Sequence, residues 1–303
     1  MLDLCLLGTG GTMPLVNRWL TSLMVRYQGH CILIDCGEGT QIAAARAGVS
    51  LKNVETLLIT HKHADHISGL PGILLSMSNM NKEAPLHIIG PVGIAKVVTA
   101  LRCITPELPY PIEITELKED WEQHSFYDCT INCYRFNHGI NCYGYNIELA
   151  RSGKFDPARA KERNIPLAYW GRLQKGEHIE ENGQHYSPDM VLGAERKGLK
   201  LTYCTDSRPT ENIIKAAAGS KLFICEGMYA EDDMLPKAIA NKHMLFSEAA
   251  QIAKDAGEVE ELWLTHFSPS LPNPKHFIEN SRNIFPNSHT PRDGWKKELK
   301  FDD

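Results

Sequence analysis

The sequence predicts an α/β protein built in layers from mixed β-sheets, and three observations carry that prediction. Apolar runs of strand length alternate with segments of helical periodicity through most of the 303 residues, as layered α/β folds require. The early and middle β-runs come in hairpin-like pairs, which makes the sheets mixed rather than purely parallel. Several apolar runs stop abruptly at His or Asp, so polar chemistry gathers where strands end.

Residues 2–7 read as a buried strand broken by Gly8-Thr9-Gly10-Gly11. A phosphate loop after a strand is also Gly-rich, but its Lys and the dinucleotide-binding spacing are missing, so a structural turn is expected. Met24–Tyr27 and Cys31–Asp35 form a hairpin around Gln28-Gly29-His30. The segment Asp35-Cys36-Gly37-Glu38-Gly39-Thr40-Gln41 then leads into a helix ending near Ala47. Glu38 and Thr40 read equally as helix caps and as functional residues. Residues 54–60 are the next strand, followed by a helix from about Ser68 to Met77, a strand Leu86–Ile89 and a helix Val92–Leu101. Several short strands fill 111–150, with His138 in the turn between Asn132–Phe136 and Tyr143–Leu149.

Residues 151–200 are polar, rich in Lys and Arg, and punctuated by Pro and Gly. Their weak periodicity makes them an excursion from a single domain spanning 1–303, either a surface insertion or a substrate-binding arm. Order returns with the strand Leu199–Cys204, the helix Asn212–Ala218 and the strand Lys221–Cys225, which ends at Glu226. An amphipathic helix Phe246–Ala256, a last strand Glu261–Leu264 and an ordered tail with a helix near Phe277–Ile284 complete the chain.

Composition narrows the classes. An apolar fraction of 43% beside 23% charged residues is ordinary for a globular protein, and a net charge of −5 gives no global nucleic-acid signal. Nine cysteines form no C-x-x-C pair; an odd count without an export signal points to a reducing cytoplasm. No window approaches the ~18–20 apolar residues that span a bilayer.

The chemistry centres on Leu57–Leu70, LLITHKHADHISGL, where a short apolar run ends in His61-Lys62-His63-Ala64-Asp65-His66. Imidazole and carboxylate are preferred zinc ligands. His61 and His63 suit a first metal, leaving Asp65 and His66 for a second metal or a catalytic role. The ending repeats: Ile59-Thr60-His61 and Leu264-Thr265-His266 close two buried strands, and Tyr203-Cys204-Thr205-Asp206 closes a third. Ligands gather beyond the carboxyl ends of strands in α/β sheets. These ends and the His138 turn bring His61, His63, Asp65, His66, His138, Asp206 and His266 to one sheet edge, with Asp206 as the natural bridge between two metals. Asp35 is expected to orient a ligand His from behind. His30, His87, His124, His178, His185, His276 and His289 are expected to be structural or surface residues.

Further motifs cover nearly the whole chain: Gly8-Thr9-Gly10 with Pro14 and Arg18, Asp35–Gln41, Leu264-Thr265-His266-Phe267-Ser268-Pro269, and Phe285-Pro286-Asn287 followed by Asp293-Gly294. With the H-x-H-x-D-H match at His61–His66, the chain resembles the metallo-β-lactamase superfamily. It is most similar to the ribonuclease Z branch, the endonucleases that trim the 3′ trailer from precursor tRNA. The resemblance implies an αβ/βα four-layer sandwich of two mixed β-sheets and two Zn2+ per subunit, with Mn2+ or Fe2+ as alternatives. One zinc takes His61, His63 and His138; the other takes Asp65, His66 and His266; Asp206 bridges them. Two such ions supply hydroxide near neutral pH. Asp65 then orients or deprotonates the attacking water. His243 stabilises phosphoryl oxygens or protonates the leaving oxygen, and Glu226 orients His243. The resemblance also implies a homodimer in which a basic arm, with Lys154, Arg159, Lys161, Arg163, Arg172 and Lys175, grips RNA.

The sequence departs from the branch in places. Cys225-Glu226-Gly227-Met228 stands where the branch has His-Glu-Ala-Thr, Thr205-Asp206-Ser207-Arg208-Pro209 where it has Gly-Asp-Thr-Arg-Pro, and Asn164–Gly171 where its Gly- and Pro-rich arm patch falls. Two alternatives stand beside the nuclease: a hydrolase of the same fold acting on a small phosphodiester or other ester, and a non-catalytic RNA-binding protein.

Overall fold

The computed structural model describes residues 1–302, and the chain divides into two compact units, 1–148 with 199–300, and 149–198 with the last residues. In the larger unit, the first half runs β1 (Leu2–Gly8), β2 (Ser22–Tyr27), β3 (His30–Ile34), α1 (Thr40–Arg46), β4 (Val54–Leu58), α2 (Ala64–Ile67), α3 (Leu70–Asn79), β5 (Leu86–Pro91), α4 (Ile94–Arg102) and β6 (Ile112–Leu117). There follow β7 (Trp121–Phe126), β8 (Cys129–Asn137) and the long β9 (Asn141–Arg151). The smaller unit holds α5 (Pro157–Glu162), α6 (Leu167–Gln174) and the hairpin β10 (Ile179–Glu181) and β11 (Gln184–Tyr186). The chain returns through β12 (Arg196–Cys204), α7 (Glu211–Ala217), β13 (Leu222–Glu226), α8 (Leu235–Asn241), α9 (Phe246–Ala256), β14 (Leu262–Thr265), α10 (Glu279–Arg282), β15 (Ser288–His289) and β16 (Trp295–Leu299).

Two seven-stranded mixed sheets result, ordered β16-β1-β2-β3-β4-β5-β6 and β15-β14-β13-β12-β9-β8-β7. In the first, β1, β2 and β3 pair antiparallel and β3 to β6 parallel. In the second, β12 to β15 run parallel and β7 pairs antiparallel with β8. Alternate residues of β1 point to opposite faces, yet Leu2, Leu4, Leu6 and Cys5, Leu7 are all buried. Both faces of the strand are therefore covered, which explains its continuous apolar run. Helices α1, α3 and α4 pack against the first sheet through Ala43, Ala44, Ile73, Leu74 and Val98. Helices α7 and α9 cover the second through Ile213, Ala216, Ala249 and Ile252. The halves are stitched where it matters for the site: the Tyr143 N–H donates to the Thr60 carbonyl (2.9 Å) and the Tyr145 hydroxyl to the Ile59 carbonyl (2.6 Å).

The elements depart from the sequence reading in a few places. The single helix expected over 68–77 is two: a four-residue turn, α2, begins inside the His motif, and α3 starts after Gly69. A β-carbon on Gly69 would lie 2.2 Å from the Gly37 carbonyl oxygen, so the break is a close backbone approach that only glycine permits. Neither Glu38 nor Thr40 caps α1 with its side chain; Gly39 occupies the cap, and the Thr40 hydroxyl donates back to the Gly37 carbonyl at 2.8 Å. Helix α8 and strand β16 were not foreseen. The weakly patterned 151–200 segment carries real structure around a small apolar core of Ala160, Ile165, Leu173, Ile179 and Val191. Its helix α5 starts at Pro157, where the Asp156 carboxylate accepts from the Arg159 N–H at 3.0 Å.

Candidate metal centre

The site lies beyond the carboxyl ends of β4, β12, β13 and β14 and at the β8–β9 turn. His61 and His63 follow β4, Asp65 and His66 ride on α2, His138 occupies the turn, Asp206 follows β12 and His266 follows β14. Asp35, Asp206 and His266 hold positive φ angles of 59°, 33° and 56°. Non-glycine residues rarely adopt this conformation, and it concentrates at functional sites because it aims a side chain off the strand end.

The structure brings the seven residues together as two tetrads that share one carboxylate: His61, His63, His138 with Asp206, and Asp65, His66, His266 with Asp206. In the first, His61 Nε2 lies 3.0 Å from His63 Nδ1, His138 Nε2 lies 3.2 Å from the same atom, and Asp206 Oδ2 is 3.5 Å from His61 Nε2 and 3.8 Å from His138 Nε2. In the second, Asp206 Oδ1 is 3.0 Å from His266 Nε2 and 3.2 Å from His66 Nε2, and those two nitrogens are 3.2 Å apart. Asp65 Oδ2 completes it at 3.5 and 3.6 Å from them.

The hydrogen bonds behind the rings test whether these donors fit a cation. His66 Nδ1 meets Asp35 Oδ2 at 2.8 Å, and Asp35 also accepts from the Thr60 N–H and hydroxyl, each at 2.8 Å. Because the Thr60 hydroxyl donates to Asp35, it is left to accept from His61 Nδ1 at 3.1 Å. His138 Nδ1 faces the Lys242 carbonyl at 3.2 Å, which can only accept. The N–H of each ring is thus spent outward, and three Nε2 lone pairs converge with carboxylate oxygens. Acceptors crowded against acceptors repel unless a cation sits among them. Four ligands held about 2.0–2.1 Å from a tetrahedral Zn2+ lie about 3.3 Å from one another, close to the spacing observed. The donor set fits two such ions.

Electrostatics agree. Burial opposes ionisation of Asp206, but His266, His66 and His61 hold it well below the usual carboxylate range. Burial pushes His61 well below its ordinary value, with the charge of His66 adding to it, and burial likewise lowers His138. His66 goes the other way, because Asp206 and Asp35 outweigh its burial.

His243 and Glu226 sit beside the second tetrad. Glu226 is fully buried; one oxygen accepts from the Ser207 N–H (2.5 Å), and the other from His243 Nδ1 (3.1 Å) and the Met244 N–H (3.2 Å). Against its burial, the Glu226 carboxylate raises His243 to about 9. The His243 ring stacks on His266 with centres 5.4 Å apart. A cavity of about 570 Å³ opens over Asp65, His63, His138, Asp206 and His243.

Other parts of the scaffold had weaker signals in the sequence. Thr60, the residue repeated in both apolar-Thr-His endings, ties Asp35 to His61. The Thr12 N–H donates to Asp65 Oδ2 at 2.8 Å, and no side-chain pattern marks a backbone donor. Arg208 Nη1 donates to the His243 carbonyl (2.6 Å) and pairs with Glu248, tying the Asp206 loop to α9. Gly11 passes so close to His266 that a β-carbon would lie 2.5 Å from its Cε1. The seven remaining histidines lie outside both tetrads.

Two sheets with outer helices, and a His–Asp cluster at the strand ends, define a protein of the metallo-β-lactamase fold. Solved structures share that architecture: the short form of human tRNase Z is 21% identical, with a TM-score of 0.72 over 99% of this chain and 100% of that one. The metallo-β-lactamase fold protein YhfI from Bacillus subtilis is 17% identical, with a TM-score of 0.69 over 98% of each chain. A family described as "Anti-Pycsar protein Apyc1" matches residues 2–101. Full-length relatives are far more similar. Ribonuclease Z from Agathobacter rectalis is 56% identical over 303 residues, covering 100% of both chains, and ribonuclease Z from Lachnoclostridium phytofermentans is 52% identical over 100% of this chain and 99% of its own. The chain belongs to the ribonuclease Z family, the endoribonucleases of tRNA 3′ processing. Among the described residues, no helix is long and apolar enough to cross a membrane.

Proposed function

We propose that the two tetrads hold two Zn2+ per chain and that the enzyme hydrolyses one phosphodiester of precursor tRNA to release its 3′ trailer. The observation that carries this reading is Asp206, which presents Oδ2 to one tetrad and Oδ1 to the other. The ligand set is His61, His63 and His138 on one side, Asp65, His66 and His266 on the other; harder divalent ions such as Mn2+ or Fe2+ suit the same donors. When bound, such ions lower the pKa of water and neutralise charge on a phosphodiester.

The chain's own groups do the rest. Asp35, Thr60 and the Lys242 carbonyl fix the tautomers of His66, His61 and His138. Asp65, braced by the Thr12 N–H, orients the attacking water and accepts its proton. His243, aimed by Glu226, donates a proton to the leaving oxygen and offsets charge on the phosphoryl group.

The 151–200 segment is read as the substrate arm of one 1–303 domain. Lys154, Lys161, Arg163 and Lys175 are exposed and suited to phosphate contacts. Arg159 and Arg172 are partly committed, donating to the Leu192 carbonyl and to Glu177 at 2.8 Å each. A homodimer is supported by Ile42 on α1 and Leu75 on α3, apolar side chains left 45% and 42% exposed on adjoining helices. The odd number of free cysteines, eight of the nine buried, suits a cytoplasmic location.

The test is to incubate the purified protein with labelled precursor tRNA beside an Asp65→Ala control, with and without a chelator. A single cut at the 3′ side of the tRNA body, abolished in the control and by chelation, is expected. Activity equal in wild type and control would sink the proposal.

A further inference from the structure

The cavity over the His–Asp cluster has a single lysine or arginine on its lining, Lys237. It stands on α8, between the segment that carries Glu226 and the one that carries His243. The Lys237 side chain is exposed and has no ion-pair partner among the described residues. Its Nζ lies 5.3 Å from the centre of the Tyr229 ring. An aromatic face localises an ammonium while leaving its three N–H donors free for a ligand.

The ring that holds it is itself fixed. Tyr229 is only 5% exposed, and Asn241 Nδ2 donates to its hydroxyl at 3.0 Å. The Tyr229 N–H donates to the Met244 carbonyl at 3.3 Å, and its own carbonyl accepts from the Phe246 N–H at 2.9 Å, which pins the residue alongside His243. Ring centres of Tyr229 and His243 are 6.5 Å apart. Lys237, Tyr229 and His243 line the same cavity, so the ammonium borders the cleft that would receive the scissile phosphodiester.

We propose that Lys237 is a specificity-determining residue that takes a backbone phosphate flanking the scissile one, with Tyr229 and Asn241 as its positioning residues. The inference rests on the RNA-cleaving reading of the site. An ammonium is a point charge, so it grips phosphate oxygens without reading bases. A nucleic acid offers flanking phosphates, whereas bis-(p-nitrophenyl) phosphate offers only the one that is cleaved. Lys237 would thus make the site prefer a chain over a small phosphodiester.

The experiment compares wild type, Lys237→Gln, Lys237→Arg and Tyr229→Leu on precursor tRNA and on bis-(p-nitrophenyl) phosphate. For Lys237→Gln, KM for the RNA should rise about threefold or more with a smaller change in kcat, since the contact adds binding rather than chemistry. The ratio of RNA to small-substrate kcat/KM should fall with it, Lys237→Arg should recover most of the loss, and Tyr229→Leu should fall between. In an Asp65→Ala background, Lys237→Gln should reduce the slope of log affinity against log salt by about 0.7–0.9, one phosphate contact. Equal losses on both substrates, or an unchanged RNA KM and salt slope, would overturn the proposal. A wild-type enzyme that turns over the small ester but leaves precursor tRNA intact would overturn the RNA reading itself, and this inference with it.

Discussion

Asp35 and His66, 31 residues apart in sequence, meet at 2.8 Å with both side chains fully buried. Burial raises Asp35 even though His66 and Thr60 pull it down, so its charge in this buried position depends on those partners. Asp35→Ala should weaken binding of the metal at the His66 tetrad by about 10–100-fold. Competition with a chromophoric chelator measures it, and unchanged affinity would mean that Asp35 does not orient His66.

His243→Ala should lower kcat by about 10²–10⁴-fold while leaving metal content intact, because a general acid contributes on that scale without binding the ions. Glu226→Gln should lower kcat less. Loss of metal from His243→Ala would place His243 among the ligands instead.

Gly11→Ala drives a methyl group to 2.5 Å from Cε1 of His266. The ring must move, so the Asp65–His66–His266 tetrad should lose affinity while the other keeps its ion. Metal analysis after dialysis should then find about one ion per chain where wild type retains two.

Removing charge from the arm should act on binding and not on folding where the side chains are free. Replacing Lys154, Lys161 and Arg163 together with Gln should cut the salt slope of precursor-tRNA affinity by up to about 2–3. Leu173→Ala empties part of the small core of the arm and should destabilise that unit by about 2–5 kcal/mol, measured as earlier proteolysis within 149–198.

Glu55 gives a pH signature away from the metals. It bonds His30 Nδ1 at 2.7 Å and the Tyr127 hydroxyl at 2.8 Å. Although burial opposes it, these bonds hold Glu55 below its ordinary 4.5. A depressed folded-state pKa adds stability above the ordinary value, and that contribution disappears as pH falls through the lower, folded value. Wild type should therefore melt higher than Glu55→Gln near pH 6, with the gap closing below about pH 4. A gap that widens in acid would reverse the assignment.

Much of this arrangement was legible because the strands are buried on both faces, so a His or Asp at the end of an apolar run stands out. Leu57-Leu58-Ile59 and Leu262-Trp263-Leu264 read as strands, and their Thr-His endings point to one edge. Helix α2 was not legible: Asp65 and His66 needed a tight turn that rests on the close approach of Gly69 to Gly37, a tertiary contact. The folded character of 151–200 was hidden because its small core draws five buried residues from a mostly polar stretch. Helix α8, and with it Lys237, was missed because Leu235–Asn241 is short and starts with Pro at its first turn. The supporting bonds of Thr12 and Lys242 involve backbone atoms, which every residue has.

Asp206 faces one tetrad with Oδ2 and the other with Oδ1, and it would hold a cation in each. Metal content of Asp206→Ala, measured by mass spectrometry after dialysis beside wild type, tests this most directly. Two ions per wild-type chain and fewer than one in the variant are expected, since neither tetrad keeps four ligands. Two ions retained in the variant would contradict the account.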